Sequence, residues 1–186
     1  MNSSSLQHLA SNLPLRPALF LDRDGTLMEE VDHCHEPEKV RAIPGAAEAL
    51  AKARREGWLT IIITNQSGIG RGYFTKEDFD AVQRELLSQL GGCIDGAYMA
   101  PDHPNNATLR RKPGPGMLLE AAADFGIDLP ASFMIGDRGS DIQAGRAAGC
   151  RTILVLTSYG KEHQDCGADF VVEDVTAAIE LALEKE

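Results

Sequence analysis

The sequence lacks the features that mark several large protein classes. It has no apolar run long enough to cross a bilayer, and no secretory signal precedes the first apolar segment. Its four cysteines form no C-x-x-C pair and show no regular spacing, so no disulfide framework is expected. Positive charge is also scarce, since 18 Lys and Arg residues oppose 28 Asp and Glu residues, for a formal net charge of -10. We therefore expect a cytoplasmic protein that binds neither nucleic acids nor membrane surfaces.

The composition is that of a globular domain with a substantial core. Of the 186 residues, 43% are hydrophobic and 25% charged, which is ordinary for such a domain. Residues 1–17 are polar, with only scattered leucines and two prolines, and we expect them to form a flexible arm. The sequence thus predicts one domain over residues 18–186, which we expect to be monomeric.

Short apolar runs alternate with segments of helical periodicity along the whole chain. This alternation predicts an α/β fold with a doubly wound parallel sheet and helices on both faces. Strands are predicted at 18–21, 59–63, 96–100, 132–136, 151–156 and 170–172, and helices at 44–56, 75–90, 117–125, 141–148 and 174–183.

Two carboxylates follow the first predicted strand at once. Asp22 and Asp24 stand just past the apolar run 18–21, and Gly25 allows a tight exit from the strand. The carboxyl ends of strands are where open α/β sheets bind ligands, and two ionised acids so close together imply a cation that holds them. The alternative is ordinary turn chemistry, in which Asp is common after a strand.

Two other predicted strands also end in polar groups. The second runs into Thr64-Asn65-Gln66-Ser67-Gly68, whose hydroxyl, amide and backbone donors suit the oxygens of a phosphate. The fourth ends at Asp137, with Asp141 at the start of the next helix. A capped turn before a helix is the alternative interpretation of the first segment.

A run of three cations, Arg110 to Lys112, precedes the helix that Pro115 opens. Cations beside a helix amino terminus are unfavourable unless an anion lies between them, so this run is a candidate phosphate clamp. A solvated basic turn is the alternative. Arg71 is a further candidate contact for a phosphate or sugar. For His33-Cys34-His35, a polar loop that faces the substrate is favoured over a metal site.

Together these motifs resemble those of the haloacid dehalogenase (HAD) superfamily of aspartate-dependent phosphatases. The resemblance rests on Asp22 to Thr26, Thr64 to Gly68, Arg111-Lys112-Pro113, and Gly136-Asp137 followed by Asp141. The longer runs 64–73, 111–118 and 136–145 are most similar to the branch that acts on heptose bisphosphates and histidinol phosphate. No long insertion separates the first two motifs, so a large cap domain is not expected.

The resemblance implies a role for each matching residue. Asp22 is expected to be the nucleophile that forms an aspartyl-phosphate, and Asp24 the general acid and base. Thr64 and Lys112 are expected to stabilise the transferring phosphoryl group. The implied Mg²⁺ ligands are Asp22, Asp137 and the backbone carbonyl of Asp24, and the implied substrate contacts are Asn65, Gln66, Arg71 and Arg111.

The chain departs from these relatives in one loop. They usually hold a zinc ion with cysteines and a histidine before the Arg-Lys-Pro motif, whereas residues 100–110 here contain His103 and no cysteine. No structural zinc is therefore predicted. The expected activity is Mg²⁺-dependent hydrolysis of a small sugar phosphate. A heptose bisphosphate is the substrate that the resemblance favours. Histidinol phosphate or another small metabolite as substrate, a phosphotransferase and a non-catalytic scaffold remain as alternatives.

Overall fold

The computed structural model describes residues 14–185. The predicted arm of residues 1–17 therefore falls largely on residues 1–13, which lie outside the described part of the chain. Of the remainder, Arg16 is bound to the domain: its guanidinium donates two hydrogen bonds to the carbonyl of Gly57, at 2.8 and 3.1 Å.

Within residues 14–185, six parallel strands form a single sheet, as predicted. Each of the four inner strands is a short apolar run with no polar alternation, because helices cover both faces of the sheet. The order across the sheet is β3-β2-β1-β4-β5-β6. The strands are β1 (Ala18–Leu21), β2 (Leu59–Asn65), β3 (Gly96–Ala100), β4 (Phe133–Gly136), β5 (Arg151–Val155) and β6 (Phe170–Val172).

Five of the α-helices in residues 14–185 lie in the connections between strands, and the last follows β6. Five occupy predicted positions, and the single turn Ser67–Gly70 is an addition at the end of β2, where a loop was predicted. None of the helices in residues 14–185 combines the length and apolarity that crossing a bilayer requires. The helices are α1 (Ala46–Arg55), α2 (Ser67–Gly70), α3 (Lys76–Gln89), α4 (Gly116–Phe125), α5 (Gly139–Ala148) and α6 (Val175–Glu184).

The core is divided by the sheet into two apolar layers. Leu19 and Leu21 of β1 face the layer formed with α1, α3 and α6. Ala18 and Phe20, the alternate residues of the same strand, face the layer formed with α4 and α5. This alternation within one buried strand is what a doubly wound sheet requires, and it confirms the predicted fold class.

Two helix starts differ from the predicted positions by two residues, the others by one, and the conformation or contacts at the helix start explain both of the larger differences. The helix predicted from residue 44 begins at Ala46, because Gly45 takes a left-handed conformation (φ 82°) that cannot continue a helix. The helix predicted from Asp141 begins at Gly139, since the Asp141 carboxylate accepts a hydrogen bond from the backbone N–H of Arg138 at 2.9 Å. Asp141 is therefore a capping residue of α5 within its first turn.

The strand order reverses direction at β1. The chain crosses from β1 to β2 and β3 on one side, then returns to place β4, β5 and β6 on the other. Beyond the carboxyl ends of β1 and β4 this reversal leaves a crevice, the position where open α/β sheets bind ligands. All the acids predicted to act together follow these two strands.

Candidate active site

A polar cavity of about 390 Å³ opens at this crevice. Its walls come from the ends of β1 and β2, the start of α5, and the loops at residues 30–34 and 111–112. Most of the lining side chains are charged or hydrogen-bonding, as expected for a site that binds a polar ligand. They are Asp22, Asp24, Glu30, Val31, Asp32, His33, Cys34, Asn65, Gln66, Ser67, Arg111, Lys112, Arg138, Ser140, Asp141 and Tyr159.

Lys112 connects two of the buried acids. Its ammonium lies 2.8 Å from Oδ1 of Asp22 and 2.7 Å from Oδ1 of Asp141, and it donates to the carbonyl of Ile63 at 2.7 Å. The contact with Ile63 is a hydrogen bond, and the two contacts with the carboxylates are ion pairs. The distant basic run and the first strand end are thus brought together, as the motif pattern predicted.

Asp22, Asp137 and Asp141 form the acidic group of the site. One carboxylate oxygen from each lies within 4.8 Å of the others, and all three side chains are buried. Within residues 14–185, no other group of three acidic, His or Cys side chains is placed to hold a metal ion. Among the described residues, Oδ1 of Asp141 makes only the ion-pair contact with Lys112, and Oδ1 of Asp137 is buried without any hydrogen-bond partner. This orphaned oxygen fits a cation ligand, because a buried carboxylate without a partner is costly.

The pKa values of these acids follow from their crowding. Burial raises the pKa of Asp22 well above its usual range, and Lys112 opposes this effect only in part. Burial, together with the charge of Asp141, raises the pKa of Asp137 to about 6. Burial alone would lower the pKa of Lys112, but the Asp141 and Asp22 carboxylates outweigh it and the net shift is upward. A divalent cation would stabilise the ionised form of both acids.

Gly25 lets the first turn pass close beside Asp137. Its φ is +78°, and a Cβ at this position would lie 2.5 Å from Oδ2 of Asp137 and 2.8 Å from Cβ of Ser158. A side chain here would collide with the acid that the turn must approach. From the sequence, Gly25 was expected to allow the sharp turn after β1. The packing of the site also requires a glycine at this position.

Asp24 lies in the cavity wall but does not join the three-carboxylate group. Its two oxygens accept hydrogen bonds from Arg23, and Oδ2 also accepts one from Gln66 at 2.8 Å. The prediction that Asp24 is a metal ligand concerned its backbone carbonyl. Asp141 supplies the third side chain of the group, whereas from the sequence it was placed only at the start of the helix after Asp137.

The three polar residues at the end of β2 have different surroundings. Thr64 is buried behind the cavity wall and accepts a hydrogen bond from Gln66 at 2.9 Å. Asn65 lines the cavity, and its side-chain amide forms two hydrogen bonds with the backbone of Lys112, both at 3.0 Å. Gln66, predicted as a substrate contact, is buried and donates to Asp24 and Thr64. Asn65 and Gln66 therefore orient neighbouring site residues.

Of the two other predicted substrate contacts, one lies in the cavity wall. Arg111 lines the cavity and is half-buried, and its guanidinium donates to the carbonyl of Asp102 at 3.3 Å. Arg71 is exposed and lies outside the wall. His33 and Cys34 line the cavity, as the interpretation of a polar loop facing the substrate requires. The His33 ring packs edge-on against Tyr73, with ring centroids 4.8 Å apart.

Sequence reasoning missed a group of residues at the cavity rim. Arg138 stacks on the Tyr159 ring, 3.9 Å from its centroid, and lies 3.9 Å from a Glu30 carboxylate oxygen. Burial and the nearby charge of Asp24 raise the pKa of Glu30 to about 7. No spacing rule links these three residues, because separate loops bring them together. Only the position of Arg138 directly after Asp137 could have drawn attention to it.

The loop at residues 100–110, for which no structural zinc was predicted, is organised by hydrogen bonds. Asp102 accepts hydrogen bonds from the backbone and hydroxyl of Thr108, and the His103 ring accepts one from the backbone of Asn105 at 3.1 Å. The backbone of the loop is thus turned by its own side chains.

The site lies on a chain with close relatives. Residues 109–178 match the HAD-hydrolase-like family model. Over 167 residues the chain is 40% identical to D-glycero-alpha-D-manno-heptose-1,7-bisphosphate 7-phosphatase of Burkholderia mallei, a match that covers 84% of this chain and 88% of that protein. It is 39% identical over 151 residues to the D-glycero-beta-D-manno-heptose-1,7-bisphosphate 7-phosphatase of Rhodopseudomonas palustris, covering 76% of this chain and 84% of that one.

A solved structure shares the fold. The crystal structure of D,D-heptose 1,7-bisphosphate phosphatase from B. bronchiseptica, complexed with magnesium and phosphate, matches with a TM-score of 0.84. The two chains are 31% identical, and the match covers 91% of this chain and 99% of that chain. The similarity therefore extends from the motifs to nearly the whole described fold.

Proposed function

Because the chain belongs to the HAD-like phosphatases, in the family of the D-glycero-D-manno-heptose-1,7-bisphosphate 7-phosphatases, we propose that it removes the 7-phosphate of a heptose 1,7-bisphosphate. It is a phosphoric monoester hydrolase, as its relatives are. The observation that carries the proposal is the ion pair between Lys112 and Asp22 in the cavity wall. It joins two separate motifs of the family at the end of the central strand.

We propose Mg²⁺ as the cofactor. Asp22 and Asp137 would hold it together with the backbone carbonyl of Asp24, and Asp141 stands beside them. The support is the orphaned Oδ1 of Asp137 and the excess of three buried carboxylates over one ammonium. When bound, the ion would supply positive charge that lets an anionic nucleophile approach an anionic phosphate.

The residues of the chain divide the reaction between them. An oxygen of Asp22 attacks phosphorus, which forms an aspartyl-phosphate and breaks the bond to the sugar oxygen. Asp24 donates a proton to that oxygen and then takes one from the water that hydrolyses the intermediate. Lys112 orients Asp22 and stabilises the charge of the transferring phosphoryl group, whereas Thr64, which was expected to share that role, lies behind the cavity wall and accepts a hydrogen bond from Gln66. Arg111 is placed to bind the rest of the sugar phosphate, and Asn65 holds the Lys112 backbone.

A substrate panel tests this function. In the presence of Mg²⁺, phosphate release would be measured from both anomers of heptose 1,7-bisphosphate, from histidinol phosphate, from fructose 1,6-bisphosphate and from sugar monophosphates. We expect kcat/KM for one heptose bisphosphate to exceed the others by about 100-fold or more, because a site that hydrogen-bonds its substrate rejects analogues that leave those groups unpaired. A preference for histidinol phosphate, or equal rates throughout, would contradict the substrate and leave the reaction class standing.

A further inference from the structure

We propose that Arg23 is a positioning residue that holds the Asp24 carboxylate in the orientation from which it exchanges protons with the reacting oxygens. The inference rests on the proposed function, in which Asp24 is the general acid and base. Arg23 stands between the two acids of the first motif, a place to which the sequence assigned no role.

Arg23 grips Asp24 with two hydrogen bonds. Its Nε donates to Oδ2 at 3.0 Å, and its Nη2 donates to Oδ1 at 2.9 Å. Two parallel bonds from a planar guanidinium fix the plane of the carboxylate as well as its distance. A single donor, such as an ammonium, would leave the carboxylate free to rotate about that one contact.

The guanidinium itself is withdrawn from solvent and substrate. Arg23 has an exposed fraction of 0% and does not line the cavity, whereas the Asp24 side chain lines it and is 19% exposed. The guanidinium carbon lies 5.0 Å from the ring centroid of Phe79, so an aromatic face supports it from α3. The Arg23 side chain therefore cannot touch a ligand in the cavity, and within the site its guanidinium bonds Asp24. The backbone N–H of Arg23 also donates to Oδ1 of Asp22 at 2.7 Å, and substitution of the side chain retains that donor.

Gln66 holds Asp24 from a second strand. Its amide donates to Oδ2 of Asp24 at 2.8 Å and to the hydroxyl of Thr64 at 2.9 Å. The carboxylate is therefore fixed from the end of β1 by Arg23 and from the end of β2 by Gln66. Such double support is what keeps a proton-transfer group in place, since an error of about 1 Å can cost about 100-fold in rate.

The two chemical steps show which form of Asp24 the hydrogen bonds from Arg23 stabilise. In the first, Asp22 bonds to phosphorus, the bond from phosphorus to the sugar oxygen breaks, and the Asp24 proton passes to that oxygen. This leaves Asp24 as a carboxylate, the form that accepts from Arg23 and Gln66. In the second, Asp24 regains a proton from water as the water oxygen bonds to phosphorus and the bond to Asp22 breaks. Arg23 thus stabilises the product of the first proton transfer.

The test compares two leaving groups in Arg23→Met. A sugar alkoxide needs a proton to leave, whereas the acetate of acetyl phosphate does not, so kcat/KM for acetyl phosphate reports attack by Asp22 without help from Asp24. We expect kcat/KM for heptose bisphosphate to fall about 100-fold and that for acetyl phosphate to change less than about threefold. Arg23→Lys keeps the positive charge but cannot form the two parallel hydrogen bonds. It should lower kcat/KM for heptose bisphosphate less than Arg23→Met does, again with little change for acetyl phosphate.

Arg151→Met is the matched control. Arg151 stacks on Phe133 at 3.9 Å and lies outside the cavity wall, so its loss should lower the thermal midpoint without changing the ratio of the two kcat/KM values. If Arg23→Met does not fold, Arg23→Lys carries the comparison. Equal losses on both substrates in the Arg23 variants would overturn the inference. Failure of the wild-type protein to release phosphate from heptose bisphosphate would instead overturn the proposed function.

Discussion

At the scale of single residues, the site holds several buried carboxylates, and Lys112 neutralises only part of their negative charge. Its ammonium contacts Asp22 and Asp141, while Asp137 has a buried oxygen with no partner. Three carboxylates and one ammonium leave an excess of negative charge in a buried place. Such an arrangement is stable only while the remaining charge is neutralised by protons or by a cation.

Removal of the ammonium should therefore destabilise the fold. Because Lys112→Met leaves the carboxylates uncompensated, we expect the metal-free protein to lose about 3–5 kcal/mol of its free energy of unfolding near neutral pH. Denaturant titration in the presence of a chelator measures this change. The double variant Lys112→Met/Asp141→Asn removes one of the stranded charges and should recover at least about 1 kcal/mol. A single variant within about 0.5 kcal/mol of wild type would show that the ion pairs do not support the fold.

Individual residues differ in how far the sequence reveals them. Asp22, Lys112 and Asp137 could be predicted because each stands at the end of a strand or the start of a helix, where neighbouring strands deliver them to one edge. The contacts of Gln66 with Asp24 could not be predicted, since alternation along a strand does not say which neighbour a long side chain reaches. Glu30 was missed because its partner, Arg138, is far from it in the sequence, and no sequence pattern indicates that the two side chains meet.

At the scale of elements, the exit turn of β1 carries the most demanding geometry. Gly25 combines a φ of +78° with a close approach to Asp137 from β4. Gly57, before β2, has a φ of +93°, but a Cβ added there would meet no atom within 4 Å. The two glycines separate the cost of the backbone conformation from the cost of the collision.

Gly25→Ala should thus harm activity in a way that Gly57→Ala does not. For Gly57→Ala we expect a loss of about 1 kcal/mol in the free energy of unfolding and an unchanged kcat, because only the left-handed conformation is penalised. For Gly25→Ala we expect kcat to fall about 100-fold as well, since Asp137 must move. The free energy of unfolding and the rate of phosphate release, measured for both variants, separate the two effects. Gly25→Ala with kcat within about twofold of wild type would refute the close-approach argument.

The elements themselves were largely predictable, because apolar runs of strand length alternate with helical periodicities throughout. The residues at which the elements begin and end were less predictable. The start of α5 depends on a capping contact between Arg138 and Asp141, and α2 is a single turn formed at the end of β2. The first has Arg138 at the N-cap, a position that residue preferences do not assign to arginine, and the second includes a backbone bond from Gly70 to the carbonyl of Pro101, just after β3.

At the scale of the whole molecule, the same carboxylates link stability to pH and to Mg²⁺. Burial first, and then Asp141, raises the pKa of Asp137 to about 6 in the folded chain, above its ordinary value of 3.8. Without a cation, its contribution to stability is full below about pH 4 and is lost as the pH rises through about 6. The proposed Mg²⁺ would bind the ionised form, so its affinity should increase over the same range.

Mg²⁺ should accordingly stabilise the protein more at high pH. With Mg²⁺ at about 100 times its Kd at pH 7.5, we expect the thermal midpoint to rise about 5–10 °C at about pH 7.5 and about half as much with the same Mg²⁺ concentration at about pH 5. Thermal unfolding with and without Mg²⁺ at both pH values measures the difference. Asp137→Asn removes the titrating group and a ligand, and should show no shift at either pH. Equal shifts at both pH values in the wild-type protein would contradict the linkage.

The most direct test of the account is phosphate release from heptose 1,7-bisphosphate by Asp22→Asn, compared with wild type and with Asp32→Asn. Asp32 lines the same cavity, but its carboxylate is 94% exposed and has no place in the reaction. We expect Asp22→Asn to lose activity by about three orders of magnitude or more, because the amide cannot form the aspartyl-phosphate, and Asp32→Asn to stay within about threefold. Turnover by Asp22→Asn close to the wild-type rate would contradict the nucleophile and, with it, the proposed mechanism.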